Sequence, residues 1–102
     1  MQPFTISVIG ILRSIPEGKV MTYGQVASAA GSPRAARQVV RVLHTLSGKY
    51  DLPWHRVVNK SGEIALQDGH SRSVQQSLLE AEGVEFTTDG CVSLEQYQWD
   101  ES

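Results

Sequence analysis

Apolar residues at Phe4, Val8, Ile11, Leu12 and Ile15 recur at the spacing of one helical face. The pattern predicts a first helix that Pro16 and Gly18 bring to an end. Thr22, followed three residues later by Gln25, has the form of a capping box and predicts a second helix carrying Val26, Ala27 and Ala30. Gly31 suits the left-handed turn that closes it. Ser32 as N-cap and Pro33 at the first helical position then predict a third helix over about 33–45. In that helix Ala36, Val39, Val40 and Leu43 form the apolar face. Arg34, Arg37, Arg41 and His44 fall within a sector of about 80° turned away from it, taking ~100° per residue. Two short helices joined by a glycine turn, the second with a buried and a basic face, describe a helix-turn-helix.

Further on, Val57-Val58 and Ile64-Ala65 flank the turn sequence Asn59-Lys60-Ser61-Gly62, which predicts a small β hairpin able to act as a wing. Gln67 to Arg72 is expected to be a polar loop. Val74, Leu78 and Ala81 predict a fourth helix, ended by Gly83. The tail carries a weak strand pattern at Cys91 to Leu94, and Tyr97 and Trp99 are expected to dock on the core. The expected fold is mainly α with a small β hairpin, a winged helix-turn-helix formed by 1–102 as a single domain.

Charge sharpens this picture. The formal net charge of -2 excludes a uniformly basic nucleic-acid coat, yet five of the nine Lys and Arg residues (Arg34, Arg37, Arg41, Lys49 and Arg56) lie between positions 34 and 56. From Leu79 onward there is none. The single cysteine, Cys91, excludes an internal disulfide and fits a reducing compartment. Three dispersed histidines show no metal-ligand spacing, and no cofactor is implied. No apolar run approaches the roughly 20 residues of a membrane span, and the stretch from Met1 to Ile15 lacks the basic start and cleavage site of a signal peptide. A cytoplasmic protein is expected, nucleoid-associated in a bacterium or nuclear in a eukaryote.

Three blocks carry a family likeness: Ile15-Pro16-Glu17-Gly18-Lys19-Val20-Met21-Thr22-Tyr23-Gly24, Gly31-Ser32-Pro33-Arg34-Ala35-Ala36-Arg37, and Pro53-Trp54-His55-Arg56-Val57-Val58. In order and separation they resemble the DNA-binding half of the O6-alkylguanine-DNA alkyltransferases. Those enzymes carry Pro-Cys-His-Arg-Val, and the cysteine accepts the alkyl group. Trp54 takes the cysteine's place here, the mark of the alkyltransferase-like branch. The indole nitrogen is a hydrogen-bond donor without a free lone pair, whereas alkyl transfer needs a thiolate activated by a neighbouring base. Cys91, in Asp-Gly-Cys-Val, has no adjacent base to activate it. No catalytic residue is therefore expected.

The resemblance implies a sensor that binds duplex DNA containing O6-alkylguanine, flips the nucleotide, bends the duplex and passes the site to nucleotide excision repair proteins. Arg37 would enter the base stack from the minor groove, and Tyr23 would contact phosphate and help rotate the nucleotide outward. Arg34, Arg41 and Lys49 would meet phosphates. Trp54 would form a wall of the lesion pocket. His55 and Glu82, which in the related enzymes form a network behind the cysteine, would support that pocket, and Arg56 would brace the loop. Gln67 stands near the place where some relatives put an arginine against the lesion base. Leu46-Ser47 replaces an Asn-Pro pair of the enzymes, and Leu66-Gln67-Asp68-Gly69-His70 replaces their glycine-rich loop. His44 and His70 belong to no motif and are expected to be ordinary surface residues. The alternative from the residues themselves is a winged-helix transcription regulator that prefers one sequence over any lesion; a glycosylase would need a general base, for which only His55 or Glu82 offers itself.

Overall fold

A computed structural model of the protein describes residues 1–100; residues 101–102, included in the single expected domain, lie outside the described residues. The chain forms α1 (Pro3–Ser14), β1 (Met21–Thr22), α2 (Tyr23–Ala29), α3 (Ala36–Tyr50), a 3-10 turn (Trp54–Arg56), β2 (Val57–Val58), α4 (Gly69–Ala81) and a last helical turn, α5 (Leu94–Tyr97). The mainly helical fold agrees with the sequence, and so does the helix-turn-helix pair α2 and α3. The capping box is complete: Thr22 Oγ1 accepts from the Gln25 backbone N–H at 3.1 Å, and Gln25 Oε1 accepts from that of Thr22 at 3.3 Å. Gly31 holds φ +91°, the left-handed conformation that glycine adopts without steric cost.

The expected hairpin does not form. β2 pairs with β1 in parallel, Met21 opposite Val57 and Thr22 opposite Val58, with α2 and α3 inside the crossover. Val57 and Val58 are both fully buried, as a strand covered on both faces must be, so these adjacent valines read as a buried parallel strand and not as one half of a wing. Beyond β2, the Asn59 side chain accepts from the N–H groups of Ser61 and Glu63 and closes a turn. Gly62 then lies so close to the tail that a Cβ there would meet the Val92 carbonyl oxygen at 2.2 Å. Its own carbonyl accepts from Val92 N–H at 2.8 Å, and Glu63 bridges to Cys91. The tail, not Ile64-Ala65 folding back on β2, takes up this edge. The expected tail strand is reduced to the bridges at Cys91 and Val92, after which Ser93 caps α5.

Helix boundaries also differ. Pro33 and Arg34 form a turn in which Ser32 gives its carbonyl to Ala35 N–H, so α3 begins at Ala36 and Arg34 stands outside it. The helix continues through Gly48 to Tyr50 and stops at Asp51, φ +51°. Its buried positions are Val39 and Val42, while Val40 is 46% exposed. α4 starts earlier than expected because the Asp68 carboxylate caps it through Ser71 N–H at 2.9 Å. Its inward residues are Gln75 and Leu79; Val74 is half-buried, and Leu78 and Ala81 are exposed.

The short sheet separates two cores, because neighbouring strand residues point to opposite faces. Val8, Leu12, Ile15, Met21, Val26, Val39, Val42 and Val57 pack on the α1–α3 side. Val20, Val58, Leu79, Val84, Val92 and Tyr97 pack on the α4 and tail side. The tail is tied to β1 through Tyr97 O with Val20 N–H and Val20 O with Trp99 N–H, and the Gln25 carboxamide donates to Trp99 O. Tyr97 is buried and Trp99 packs on the first core, so both dock as expected.

Candidate nucleic-acid interface

α3 carries the basic groups on its solvent side. Arg37 and Arg41 are exposed on the helix, and Arg34 is exposed in the turn before it. Among the described residues none of these three side chains has an ion-pair or hydrogen-bond partner. Lys49, farther along, lies over the Tyr50 ring at 5.6 Å. One helical turn on from Arg37, Val40, Leu43, His44 and Ser47 form the wall of a cleft of about 270 Å³, completed by Tyr23, Trp54, Leu66, Ser71 and Gln75. This is slightly below the roughly 300–1,000 Å³ of ordinary small-molecule pockets. Its walls are largely apolar, with a few polar groups at defined points.

Each wall residue is placed by a local cause. Tyr23 is the first residue of α2, fixed by the Thr22–Gln25 cap. Burial pushes its phenol above the ordinary value, so it remains a protonated donor at neutral pH. Trp54 opens the 3-10 turn, its N–H on Leu52 O at 2.8 Å, and its ring meets that of His55 edge-on at 6.2 Å between centroids. It also borders a second, more open depression shared with Arg13, Asp51, Leu52, Pro53, His55, Arg56 and Leu78, so the indole stands as a partition between the two spaces.

Behind Trp54 the turn is held by one carboxylate. Glu82 Oε2 lies 2.7 Å from His55 Nε2 and 2.7 Å from Arg56 Nη2; Oε1 accepts from Arg56 Nε and from Gly18 N–H, each at 3.0 Å. Arg56 Nη1 donates to Ile15 O at 2.9 Å. Burial by itself would raise the Glu82 pKa, but Arg56, the Gly18 amide and His55 together hold it down to about 2. From the other side, Gln75 Nε2 donates to His55 O at 3.1 Å and Val57 O at 2.9 Å.

The structure therefore brings Tyr23 and Trp54 into one cleft and leaves Arg34, Arg37 and Arg41 exposed, without an ion-pair partner among the described residues. His55 and Arg56 turn inward to Glu82. Gln67 is exposed and adjoins the cleft only through its neighbour Leu66. Val40, expected on the core face, and His44, expected on ordinary surface, both line the cleft, whereas Leu43 packs against the first core as expected and lines the cleft as well. Sequence reasoning did not single out Ser71 or Gln75 for the cleft; the repeat of Ser71, Gln75 and Leu79 at four-residue intervals was the available signal for an inward helix face with a polar centre. No helix among the described residues is long and apolar enough to cross a membrane, and no group of three or more potential metal-ligating residues occurs among them.

Residues 3–84 match the family described as 6-O-methylguanine DNA methyltransferase, DNA binding domain. The chain is 52% identical over 89 residues to the DNA base-flipping protein of Escherichia coli K12, covering 87% of this chain and 68% of that protein. It is 40% identical over 99 residues to the DNA base-flipping protein of Vibrio parahaemolyticus, covering 97% and 98% of the two chains. The fold superposes on Schizosaccharomyces pombe Atl1 in complex with damaged DNA containing O6-carboxymethylguanine with a TM-score of 0.84 and 38% identity, covering 98% of this chain and 97% of that one.

Proposed function

Because this chain belongs to the 6-O-methylguanine DNA methyltransferase DNA-binding family, among its base-flipping and alkyltransferase-like members, we propose that it is a non-enzymatic sensor of O6-alkylguanine in duplex DNA. The observation that carries this reading is the position of Trp54: a side chain with no nucleophile forms the wall of a cleft beside a helix with unpaired arginines. A base concealed in the stack must be everted before a cleft of this kind can receive it. Arg37 fills the vacated position, where its planar cation stacks and donates hydrogen bonds to the orphaned partner base. Tyr23, with its phenol proton retained, donates to the displaced phosphate. Arg34 and Arg41 hold the flanking backbone electrostatically.

In the cleft, the indole of Trp54 and the side chains of Val40, Leu43 and Leu66 offer apolar surface to the ring and to its alkyl group. His55, Arg56 and Glu82 act together as the brace that keeps Trp54 in place. Gln67, exposed next to the cleft residue Leu66, contributes an uncharged hydrogen bond to the lesion strand. With no thiolate facing the base, the alkyl group stays on the DNA, and the everted lesion becomes the signal handed to nucleotide excision repair at the chromosome.

Duplexes with guanine or O6-methylguanine at one position, titrated at a stated salt concentration and then weighed with the protein by mass spectrometry, test this reading. Tighter binding of the lesion in any sequence context, with neither mass changed, is expected. A preference for one sequence regardless of damage would instead mark a transcription regulator, and an added alkyl mass or a lost base would mark an enzyme. Faster lesion incision by a reconstituted excision nuclease when the protein is added would support the hand-off, and an unchanged rate would remove it.

A further inference from the structure

Gln75 is a polar residue at 1% exposure in a helix face otherwise turned to the core, and it lines the cleft. Both hydrogens of its amide nitrogen are committed, one to His55 O and one to Val57 O. This fixes which way the carboxamide points, since the reversed orientation would set its oxygen against two carbonyl oxygens. Oε1 has no hydrogen-bond partner among the described residues, although no side-chain nitrogen or oxygen sealed from solvent among them lacks one. Oε1 must therefore keep access to open space, and the space that Gln75 borders is the cleft. An oriented acceptor of this kind is met by water while the cleft is open, and it becomes costly when an entering base displaces the water without bringing a donor.

Guanine alkylated at O6 has lost its N1 proton. Its ring nitrogens and O6 only accept, and the exocyclic 2-amino group is the single donor left on the base. We propose that Gln75 is a specificity-determining residue whose side-chain oxygen accepts a hydrogen bond from that 2-amino group, so that the cleft selects 2-aminopurine skeletons. The proposal rests on the reading that the cleft receives the everted base. It divides the work of recognition: Trp54, Val40, Leu43 and Leu66 hold the ring and the alkyl group by apolar contact, whereas Gln75 identifies the purine. An O6-alkylated hypoxanthine, or a thymine alkylated at O4, has no donor to offer and leaves the acceptor unmatched.

The test compares duplexes carrying guanine, O6-methylguanine or O6-methylhypoxanthine at one position, bound by the full chain and by Gln75→Lys. Lysine presents donors only, so the variant can retain the clamp on His55 O and Val57 O while losing the acceptor. The ratio of affinities is read, which cancels any uniform gain from the added charge. The unaltered protein should lose on the order of tenfold in affinity when the 2-amino group is removed, the scale of one unmet hydrogen bond. Gln75→Lys should bind the two lesions within about twofold of each other. Equal binding of both lesions by the unaltered protein, or full discrimination by folded Gln75→Lys, overturns the assignment. Failure to prefer O6-methylguanine over guanine would sink the broader cleft reading instead. Should the variant not fold, the side-chain 15N resonance of Gln75 in the unaltered protein decides: it should shift further with the O6-methylguanine duplex than with the hypoxanthine one, and identical shifts would refute the contact.

Discussion

The Trp54–Arg56 turn and the solvent side of α3 use arginine in opposite ways. Arg56 places Nε, Nη1 and Nη2 on Glu82 and Ile15 O, while the side chains of Arg37 and Arg41 have no hydrogen-bond or ion-pair partner among the described residues. In the turn, a carboxylate held as the anion to about pH 2, a histidine and a buried glutamine fix a backbone segment from two directions. On α3 the same residue type is left exposed, with no ion pair to break when a phosphate arrives. The difference separates two tasks that one domain must combine. Shape has to be fixed before binding, because a wall that moves cannot discriminate, whereas charge has to remain unspent until binding.

Removing the brace should have the largest effect, and it should fall on stability. Glu82→Ala leaves Arg56 and His55 without their shared carboxylate, and a loss of about 2–3 kcal/mol is expected by urea denaturation, at or just below the lower end for a fully buried ion pair because these side chains are only partly buried. The folded state keeps Glu82 ionised down to about pH 2, whereas the unfolded chain takes up the proton near 4.5. The contribution is therefore complete above pH 4.5 and is withdrawn as the pH falls towards 2, and Glu82→Ala should show a flatter acid limb over that window. A profile identical to that of the unaltered protein would show that the brace does not contribute.

Arg37→Ala should do the reverse. Affinity for O6-methylguanine duplex should fall by about 1–3 kcal/mol while the urea midpoint stays unchanged; a shifted midpoint with unchanged affinity would erase the distinction between the two regions. Trp54→Ala should reduce the preference for lesion over plain duplex by about 1–2 kcal/mol, more than it reduces affinity for plain duplex, because it removes apolar wall and not charge. Equal losses on both would place Trp54 outside the lesion contact. The smallest effect is expected for Tyr23→Phe, about 1 kcal/mol in DNA affinity from one lost hydrogen bond, with folding intact; no change in affinity would leave its hydroxyl without a role in DNA binding.

The same division explains what could be read from the sequence. Local features were legible where a short-range rule governs them: the Thr22–Gln25 cap, the left-handed Gly31 and the tail aromatics were all found where expected. Features set by long-range partners were not. Val40 fits an apolar helical face equally well as core or as cleft wall, and only the position of Trp54 and α4 decides between them, while Leu43 serves as both. Val57-Val58 beside a turn sequence suggested a hairpin, but their partner is β1, thirty-six residues earlier from Val57 to Met21. Gln75 escaped a reading that looks for apolar inward positions, since it is buried in order to satisfy the carbonyls of His55 and Val57. The α3 arginines are legible from helical spacing and the remaining candidate residues from motif resemblance, but their division into inward brace and outward contact becomes visible only with Glu82 and α3 placed in space.

The most direct test is a crystal structure of this protein bound to a duplex with one O6-methylguanine. The expected result is the modified base outside the stack, in the cleft between Tyr23, Trp54 and Gln75, with the Arg37 guanidinium in the vacated position and the methyl group still on O6. A modified base still stacked in the duplex, with Trp54 remote from the DNA, would contradict the account.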